Sequence, residues 1–530
     1  MGAVKVDGPN APKIQSVEEM AGRFSSELMT LMPGWKQRLM SDPGELEQLE
    51  RDVHAAFSRG ADLLLAGLIA VVMQEPEFEA SSEQTRRDFS QPLVGGRERT
   101  VRVQLLGGLL IWIASLYCGP RKNSRTGEEE KRSGLYVELA QFGFGKGVTP
   151  GLQSRVARQA ALCPSLQLAC QELERGGVKL DVKAVRRITY QCGEGLLRLR
   201  KHELMLWREG KLLAGSEFRG KRVTVQIDGG RTKVRGDLRP AVAESEKTNA
   251  GGLVIENAPG RSKKRPAQTY DAEWREPKLV TIFVHDEQGR MVKGSKATVD
   301  GTFLGPDALA ELVTMHLDRL GAAMADSVTF VSDGAPWIWD RIERIVTLAK
   351  LGSVKTYQVL DCCHAAHHIS LALAALGLSD VERMPLYREH RTLLRNGQWR
   401  RVVEELSELA AHHSDETAKV QTEIAYLRKH GEAGRLSYPH YRSLGIPLGS
   451  GAIESSIRRV INLRLKSNAM FWREPHAEIM LQVRAQIITD RWDQRLNEMR
   501  ELERCHSRTD WKWSPQAMSG KSESDNAIAV

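Results

Sequence analysis

Three acidic residues follow segments that could bring them to one point in the folded chain. Asp228 and Asp333 each end an apolar, alternating run and are each followed by glycine, whereas Glu454 begins a basic helical stretch. If the two runs are neighbouring strands of one sheet, their terminal carboxylates meet at the same edge, and a helix can add the third. Carboxylates grouped in this way hold Mg²⁺, and paired ions act on the attacking and leaving oxygens of a phosphodiester. The pattern predicts a metal-dependent site that cuts and joins DNA strands.

Each of these acids also has a simpler structural interpretation. An Asp-Gly pair after a strand is common turn chemistry, and Glu454 could form a surface ion pair with Arg458, one helical turn away. The apolar residues near Glu454 recur at helical spacing and place it at the edge of a buried stripe. We therefore expect Glu454 to point toward a sheet, not into open solvent.

The charge of the chain favours a polyanionic partner such as DNA. The formal net charge is +9, and Arg and Lys cluster at 259–265, 383–401 and 458–473. Neutralised phosphates release counterions, which favours binding, although a solvated basic surface has the same composition. The candidate DNA-binding residues lie after Glu454, in an upstream helix and in a Gly- and Pro-rich segment: Arg458, Arg459, Arg464, Lys466, Lys183, Arg186, Arg187, Lys263, Lys264 and Arg265.

The cysteine content and the apolar segments indicate a cytoplasmic protein that contacts no membrane. The seven cysteines form no evident framework, which is typical of a reducing compartment. The polar N-terminus lacks the core of a signal peptide. The most apolar stretch, 101–117, is short for a membrane span, and we expect it to form a buried helix.

The periodicity of the chain changes from helical to alternating near residue 221. Helical spacing covers 16–80 and 149–205, and within it two helices flank Gly176-Gly177, with Asp181 as a cap for the second helix at 182–195. This is the outline of a helix-turn-helix, although a plain helical hairpin has the same pattern.

Beyond that point the pattern predicts a mixed sheet with helical crossovers. Segments 221–227 and 231–235 are expected to pair as a hairpin. Residues 1–15 and 507–530 are expected to be disordered, and 236–270 to be an inserted loop or a disordered arm. The remaining predicted strands are 278–285, 328–332 and 356–360, and the predicted helices are 306–320, 336–350, 362–435 and 452–503.

Five ordered segments give the chain a resemblance to a known family. They are 225–230 (VQIDGG), 274–278 (WREPK), 332–338 (SDGAPWI), 360–364 (LDCCH) and 449–455 (GSGAIES). With these segments the chain resembles the DDE transposases of bacterial insertion sequences, most closely the ISKra-type group, which is related to Mutator-like transposases. The resemblance spans roughly 225–490, and the upstream helix-turn-helix outline fits it as well.

The resemblance implies an α/β fold with a ribonuclease-H-like mixed-sheet core. It implies a mostly helical region at 1–148, a helix-turn-helix-like region at 149–215, a catalytic domain at 216–505 with a helical insertion at about 365–445, and a disordered tail at 506–530. Asp228, Asp333 and Glu454 would bind Mg²⁺, which Mn²⁺ can replace, and Asp361 and His364 would support the site. The implied partners are transposon ends, target DNA and a second copy of the chain, in a homodimer or larger homo-oligomer associated with the bacterial nucleoid.

Alternatives to this interpretation remain at several positions. Asp361 could simply cap a helix that carries His364, and the nearby cysteines and histidines lack the separated ligand pairs of a structural zinc site. Relatives often carry paired cysteines ahead of the helix-turn-helix, whereas only Cys118 lies there, so no zinc is expected in that region. Trp337, Trp339 and Trp472 are expected in the core, although Trp472 could offer a surface to a flipped base. A structure-selective nuclease and a catalytically inactive, domesticated DNA-binding protein are the competing functions.

Overall fold

The chain folds as a mixed α/β protein. The computed structural model describes residues 3–88, 93–120, 135–235, 272–412, 417–466 and 470–505. The segments 236–270 and 507–530, and with them the candidate residues Lys263, Lys264 and Arg265, lie outside the described residues.

The N-terminal region combines helices with a four-stranded antiparallel sheet. Its strands are β1 (Ala3–Val6), β2 (Leu93–Gln104), β3 (Leu110–Pro120) and β4 (Leu135–Tyr136). Its helices are α1 (Val17–Ser41), α2 (Leu46–Val72), α3 (Pro76–Asp88) and α4 (Val137–Gln141). The strand order is β1-β3-β2, and β4 pairs with β3. The expectation of an unstructured 1–15 was therefore wrong, because β1 lies within it.

The helix expected at 101–117 is instead the hairpin of β2 and β3. The chain turns at Gly107 and Gly108, and Gly108 has a φ of 101° that a glycine adopts without strain. The buried carboxylate of Asp62 accepts hydrogen bonds from the backbone N–H groups of Gly107 at 3.0 Å and Leu109 at 2.9 Å. A tertiary contact from α2 thus stabilises a turn that apolar composition alone did not reveal.

One helical stretch among the described residues, Pro43–Val72, is long and apolar enough to cross a membrane. Core helices of soluble proteins pass the same test. Within α2, Leu63, Ala66 and Ile69 are buried in one hydrophobic cluster with Val4 and Ile111 of the N-terminal sheet. One face of α2 therefore packs in the N-terminal core, whereas Leu65 and Leu68 on the same helix are exposed.

Three helices link the N-terminal region to the central sheet: α5 (Pro150–Leu162), α6 (Leu166–Arg175) and α7 (Val182–Arg208). The predicted cap is confirmed, because the Asp181 carboxylate accepts a hydrogen bond from the Ala184 N–H at 2.6 Å. The helix runs well past the predicted end at 195. Within its second half, Arg200 is fully buried and forms ion pairs with Asp300 and Glu478, so this half belongs to the core.

The central sheet has five strands in the order β11-β10-β5-β8-β9. Their bounds are β5 (Arg222–Gly229), β8 (Lys278–His285), β9 (Thr298–Thr302), β10 (Ser327–Ser332) and β11 (Lys355–Leu360). Strands β5, β10 and β11 are mutually parallel, and β8 is antiparallel to both β5 and β9. The carboxyl ends of β5 and β10 therefore meet at one edge.

The predicted hairpin of 221–227 with 231–235 was wrong. Strand β6 (Thr232–Arg235) pairs instead with β7 (Ala272–Arg275) in a separate two-stranded ribbon, while β5 pairs with β8 and β10. The short distance in sequence between 221–227 and 231–235 favoured the prediction of a local turn. Strand β5 pairs with β8 instead, because β8 is apolar and fully buried. Strands β7 and β9 were not predicted, because they are short and β9 contains Asp300 and Gly301.

Helices cover both faces of the central sheet. One face packs, in a single hydrophobic cluster, against the helices of the segment 306–443, and the other packs against α7 and the C-terminal helices. The first set is α8 (Pro306–Arg319), α9 (Pro336–Leu348), α10 (Cys362–Ala375), α11 (Asp380–Arg395), α12 (Trp399–His412), α13 (Thr417–Glu432) and α14 (Tyr438–Ser443). The C-terminal set is α15 (Gly451–Ile457), a π-helical turn (Arg458–Asn462), α16 (Glu474–Ile488) and α17 (Trp492–Cys505).

Candidate functional site

Two of the predicted acids lie side by side at one edge of the central sheet. In the parallel ladder of β5 and β10, Val225 lies opposite Phe330, and continuing this register brings Asp228 level with Asp333. The two strands are also joined where Ile227 donates its N–H to the Ser332 hydroxyl at 3.1 Å. The sheet itself thus positions the two carboxylates.

The two carboxylates are held in an environment that disfavours their charged forms. Burial, and next the charge of Asp333, raise the pKa of Asp228 to about 6, against the lowering effects of the Gly229 N–H and of His364. Burial also raises the pKa of Asp333, against a hydrogen bond from the Ala335 N–H at 3.1 Å. Two partly desolvated carboxylates that repel each other are stabilised by a shared proton or by a cation.

The third acid is brought to this edge by a side chain of β5. Gln226, buried at 1% exposure, donates to the Gly449 carbonyl at 2.9 Å and accepts from the Ile453 N–H at 3.0 Å. This pair of hydrogen bonds fixes the start of α15 beside the strand that ends in Asp228.

The side chain of Glu454 is exposed to solvent, contrary to expectation. Its side chain is 57% exposed, and its carboxylate lies 3.8 Å from His364 Nε2 and 3.5 Å from the Ser450 hydroxyl. Ile453 takes the inward position and is fully buried. A short helix can turn only one of two consecutive residues toward the sheet, and the apolar residue occupies that place.

Asp361 connects the helix of His364 to the helix of Glu454. Its Oδ1 accepts from the N–H groups of Cys363 at 2.6 Å and His364 at 2.9 Å, so the predicted N-cap is present. Its Oδ2 accepts from the Ser450 hydroxyl at 2.7 Å and also from the Ser450 N–H. His364 is half-exposed, and its charge lowers the pKa of both Asp228 and Asp333. Both interpretations of Asp361, a cap and a support of the site, are compatible with this geometry.

The donor atoms at this edge suit a divalent cation only in part. Within the described ranges, no group of three or more His, Cys, Asp and Glu side chains is arranged to hold a metal ion. Asp228 and Asp333 offer hard oxygen ligands whose repulsion a cation would relieve. Glu454 lies beside His364, whose charge also acts on both aspartates. Among the cysteines and histidines that follow Asp361 and were considered as zinc ligands, His368 forms an ion pair with Glu423 and stacks on Tyr426.

Two charged residues that were not assigned to the site also lie at this edge. Lys278 pairs with Gly229 across β5 and β8, and its Nζ lies 2.6 Å from Glu276 and 4.3 Å from the Trp337 ring centroid. The charge of Glu276 contributes to raising the pKa of both Asp228 and Asp333. The sequence signal for these two residues was the segment 274–278, which ends at the first residue of β8.

Gly229 leaves space for the side chain of Glu276. A Cβ atom at this position would lie 2.0 Å from Glu276 Oε1. The glycine after Asp228 therefore leaves room for the Glu276 carboxylate at the site. A glycine that only formed a turn would not need this space.

The candidate phosphate contacts separate into exposed and buried residues. Arg458, Arg459 and Lys466 are exposed, and Lys466 lines a cleft together with Glu276. Arg464 is buried at 3% exposure, donates to the Ala160 carbonyl at 3.2 Å and lies over the Trp472 ring, so its assignment to DNA was wrong. Arg464 was expected on the helix of Glu454, but that helix ends at Ile457 and is followed by a π-helical turn that ends before Arg464.

The upstream candidates and the tryptophans lie largely where expected. Lys183, Arg186 and Arg187 are exposed on the first turns of α7, where their predicted contact with DNA stays a prediction. Trp339 and Trp472 are buried, at 5% and 7% exposure. Trp472 therefore offers no surface for a flipped base, whereas Trp337 is half-buried beneath Lys278.

In comparisons with known proteins, no family model, no curated protein and no solved structure matches the chain significantly. The functional interpretation therefore rests on the residues and geometry of this chain.

Proposed function

We propose that the chain is a DNA transposase of the DDE class, which cleaves transposon ends and joins the freed 3′-hydroxyl to target DNA. The observation that carries the proposal is the pairing of Asp228 with Asp333 at the carboxyl ends of two adjacent parallel strands, both with raised pKa. Acids placed in this way are typical of sites that bind cations for phosphodiester chemistry.

The strand order supports a ribonuclease-H-like core. Taken in chain order, the five strands of the central sheet run β5, β8, β9, β10 and β11, and only the second is antiparallel to its neighbours. That topology places the ends of the first and fourth strands together, which is the arrangement the resemblance implies. The helices α11 to α13 between Asp333 and Glu454 correspond to the expected helical insertion.

Asp228 and Asp333 would hold Mg²⁺, or Mn²⁺ in its place, and Glu454 would complete the ligand set. Such ions activate the attacking oxygen and stabilise the charge that develops on the leaving oxygen. In the described arrangement the Glu454 carboxylate lies beside His364, so the proposal includes a rotation of this exposed side chain toward the aspartates. Gln226 and Asp361 hold the backbone of α15 in place during that rotation.

The surrounding cations would bind the DNA backbone. Arg458, Arg459 and Lys466 are exposed, and phosphate contacts of this kind position a duplex without reading its sequence. Lys183, Arg186 and Arg187 would add contacts from α7. The proposal also includes action as a homodimer or larger homo-oligomer on paired DNA ends, in the bacterial cytoplasm at the nucleoid.

The test is metal-dependent cleavage of a duplex that carries the DNA flanking the reading frame, including any inverted repeats. We expect cleavage with Mg²⁺ or Mn²⁺, followed by joined products when a target plasmid is added. Asp228→Asn should abolish both, whereas the control Asp326→Asn, an exposed acid at the amino end of β10, should retain both.

The same assay separates the competing functions. Cleavage without joined products would favour a structure-selective nuclease. Salt-sensitive binding without cleavage by the unmodified protein would favour a catalytically inactive, domesticated DNA-binding protein.

A further inference from the structure

A cleft next to the paired aspartates is lined by an exposed tryptophan and several cations. It has a volume of about 450 Å³ and is formed by Arg231, Trp274, Arg275, Glu276 and Lys466. Glu276 belongs both to this cleft and to the aspartate edge, so the two are continuous. This volume is in the range of pockets that enclose one small-molecule-sized group.

Trp274 is unusual among the tryptophans near the site because 56% of it is exposed. It lies on β7, directly opposite Lys233 of β6, whose Nζ is 5.2 Å from the indole centroid and 5.8 Å from the Phe471 ring. An exposed indole costs free energy in water, and a planar ring with nearby cations is well suited to stack on another aromatic ring.

The ribbon that carries Trp274 is firmly attached to the core. Arg235 donates its N–H to the Trp472 carbonyl at 2.7 Å, and Arg275 forms an ion pair with Glu474 at 2.9 Å. Trp274 is therefore presented by an anchored ribbon, so a bound group would be held at a fixed place relative to Asp228.

We infer that this cleft binds one unpaired nucleotide, with its base stacked on Trp274 and its phosphate against Arg231 and Lys466. A paired base offers its faces only to its neighbours in the duplex, so an indole can stack only on a base that has left the helix or was never paired. The inference rests on the proposed function, since it places this nucleotide beside the phosphodiester held at the aspartates.

The charge of the cleft supports a nucleotide as its occupant. Arg231 and Lys466 are exposed, and Lys233 adds a third cation beside the indole. The acids at the cleft each form an ion pair, so their charges are neutralised. Glu276 lies 2.6 Å from Lys278, and Glu474 lies 2.9 Å from Arg275. A flat aromatic surface surrounded by cations is the arrangement that binds single-stranded nucleic acid.

The experiment compares two DNA probes by fluorescence anisotropy in the presence of EDTA. One probe is a blunt duplex, and the other is the same duplex with a short single-stranded extension that contains 2-aminopurine. We expect the unmodified protein to prefer the extended probe and to change the 2-aminopurine emission by stacking. Trp274→Ala should reduce affinity for the extended probe by about tenfold, the scale of one base–aromatic stack, and should leave blunt-duplex affinity unchanged.

Two further variants make the assignment specific. Trp274→Phe should keep most of the preference, because a phenyl ring still stacks. Lys466→Ala should weaken binding of the extended probe, whereas Lys355→Ala, an exposed lysine at the opposite end of the sheet, should bind both probes normally.

The outcomes distinguish this inference from the proposed function. If both probes bind but Trp274→Ala keeps the full preference and emission change, the nucleotide cleft is wrong and the transposase proposal stands. If neither probe binds to the unmodified protein, the DNA-directed function and the cleft both fail.

Discussion

The buried carboxylate of Asp361 accepts a hydrogen bond from the Ser450 hydroxyl at 2.7 Å, although 89 positions separate the two residues in the chain. Its other oxygen caps α10 through the N–H groups of Cys363 and His364. A single side chain thus fixes the distance between the helix that carries His364 and the loop that leads to Glu454.

We expect Asp361→Asn to reduce cleavage strongly while DNA binding is retained. An asparagine keeps one acceptor oxygen, so either the cap or the contact with Ser450 is lost, and α15 shifts relative to the aspartates. A lost buried partner also lowers stability by about 1–3 kcal/mol. Cleavage rates, DNA affinity and thermal unfolding midpoints measure these effects.

The matched control for Asp361 is Ser379→Ala, which removes an exposed capping box from α11. It should cost about 1 kcal/mol of stability and leave cleavage unchanged. Equal cleavage by both variants would show that Asp361 is only a helix cap.

Gln226→Leu should uncouple α15 from the central sheet. The substitution keeps the side-chain volume but removes the partner of the Gly449 carbonyl and one of the two acceptors of the Ile453 N–H, which also donates to the Ser450 carbonyl at 3.0 Å. We expect a loss of about 1–3 kcal/mol in the free energy of unfolding, on the scale of two lost hydrogen bonds, together with weaker cleavage.

Thr329→Val is the control for Gln226, because Thr329 is fully buried on the adjacent strand and its hydroxyl has no hydrogen-bond partner in the part of the chain that the structure describes. It should be close to neutral in denaturant unfolding. A Gln226→Leu variant that unfolds and cleaves like Thr329→Val would contradict a positioning role for Gln226.

Asp228→Asn should stabilise the metal-free protein even though it abolishes cleavage. The folded pKa of about 6 lies above the ordinary value of 3.8, so the folded state binds more protons than the unfolded state between these values. Stability therefore falls as the pH rises from about 3.8 to 6, and the penalty is complete above pH 6. Removing the charge should recover about 2 kcal/mol at pH 7.5.

Thermal unfolding in EDTA and in Mg²⁺ tests this prediction. The midpoint of Asp228→Asn should exceed that of the unmodified protein in EDTA at pH 7.5, and the difference should disappear near pH 4. Added Mg²⁺ should raise only the midpoint of the unmodified protein and of Asp326→Asn. A destabilised Asp228→Asn at pH 7.5 would show that the carboxylates do not repel each other as inferred.

Gly334→Ala should displace the loop that follows Asp333. An added Cβ atom would lie 2.0 Å from the Tyr426 hydroxyl of α13, so the loop and the helical insertion must separate. We expect lower cleavage and a lower unfolding midpoint, with partial recovery when Tyr426→Ala is added. Gly352→Ala, where a Cβ meets nothing within 4 Å, is the control. No recovery in the double variant would place the cause elsewhere.

Local patterns predicted most of the regular elements around the site. The run 278–285 coincides with β8, and Pro306 and Pro336 begin α8 and α9 as expected. Such elements are predictable because their apolar period and their first-turn prolines act within a few residues. Two hairpin predictions were wrong. The segment 101–117 was expected to be a helix but lies in a hairpin, and 221–235 was expected to pair locally but does not form a hairpin.

The sequence by itself determined which residues end the strands of the sheet, and therefore that Asp228 and Asp333 are available at strand ends. Only the tertiary structure decided that β5 and β10 are neighbours, that Glu454 faces His364, and that Arg464 is buried while Trp274 is exposed. Periodicity is a property of adjacent residues, whereas strand order, helix rotation and burial depend on which distant segments pack together. The presence of two carboxylates at strand ends was therefore predictable. Their burial and their mutual repulsion arise from contacts between segments that are distant in the chain.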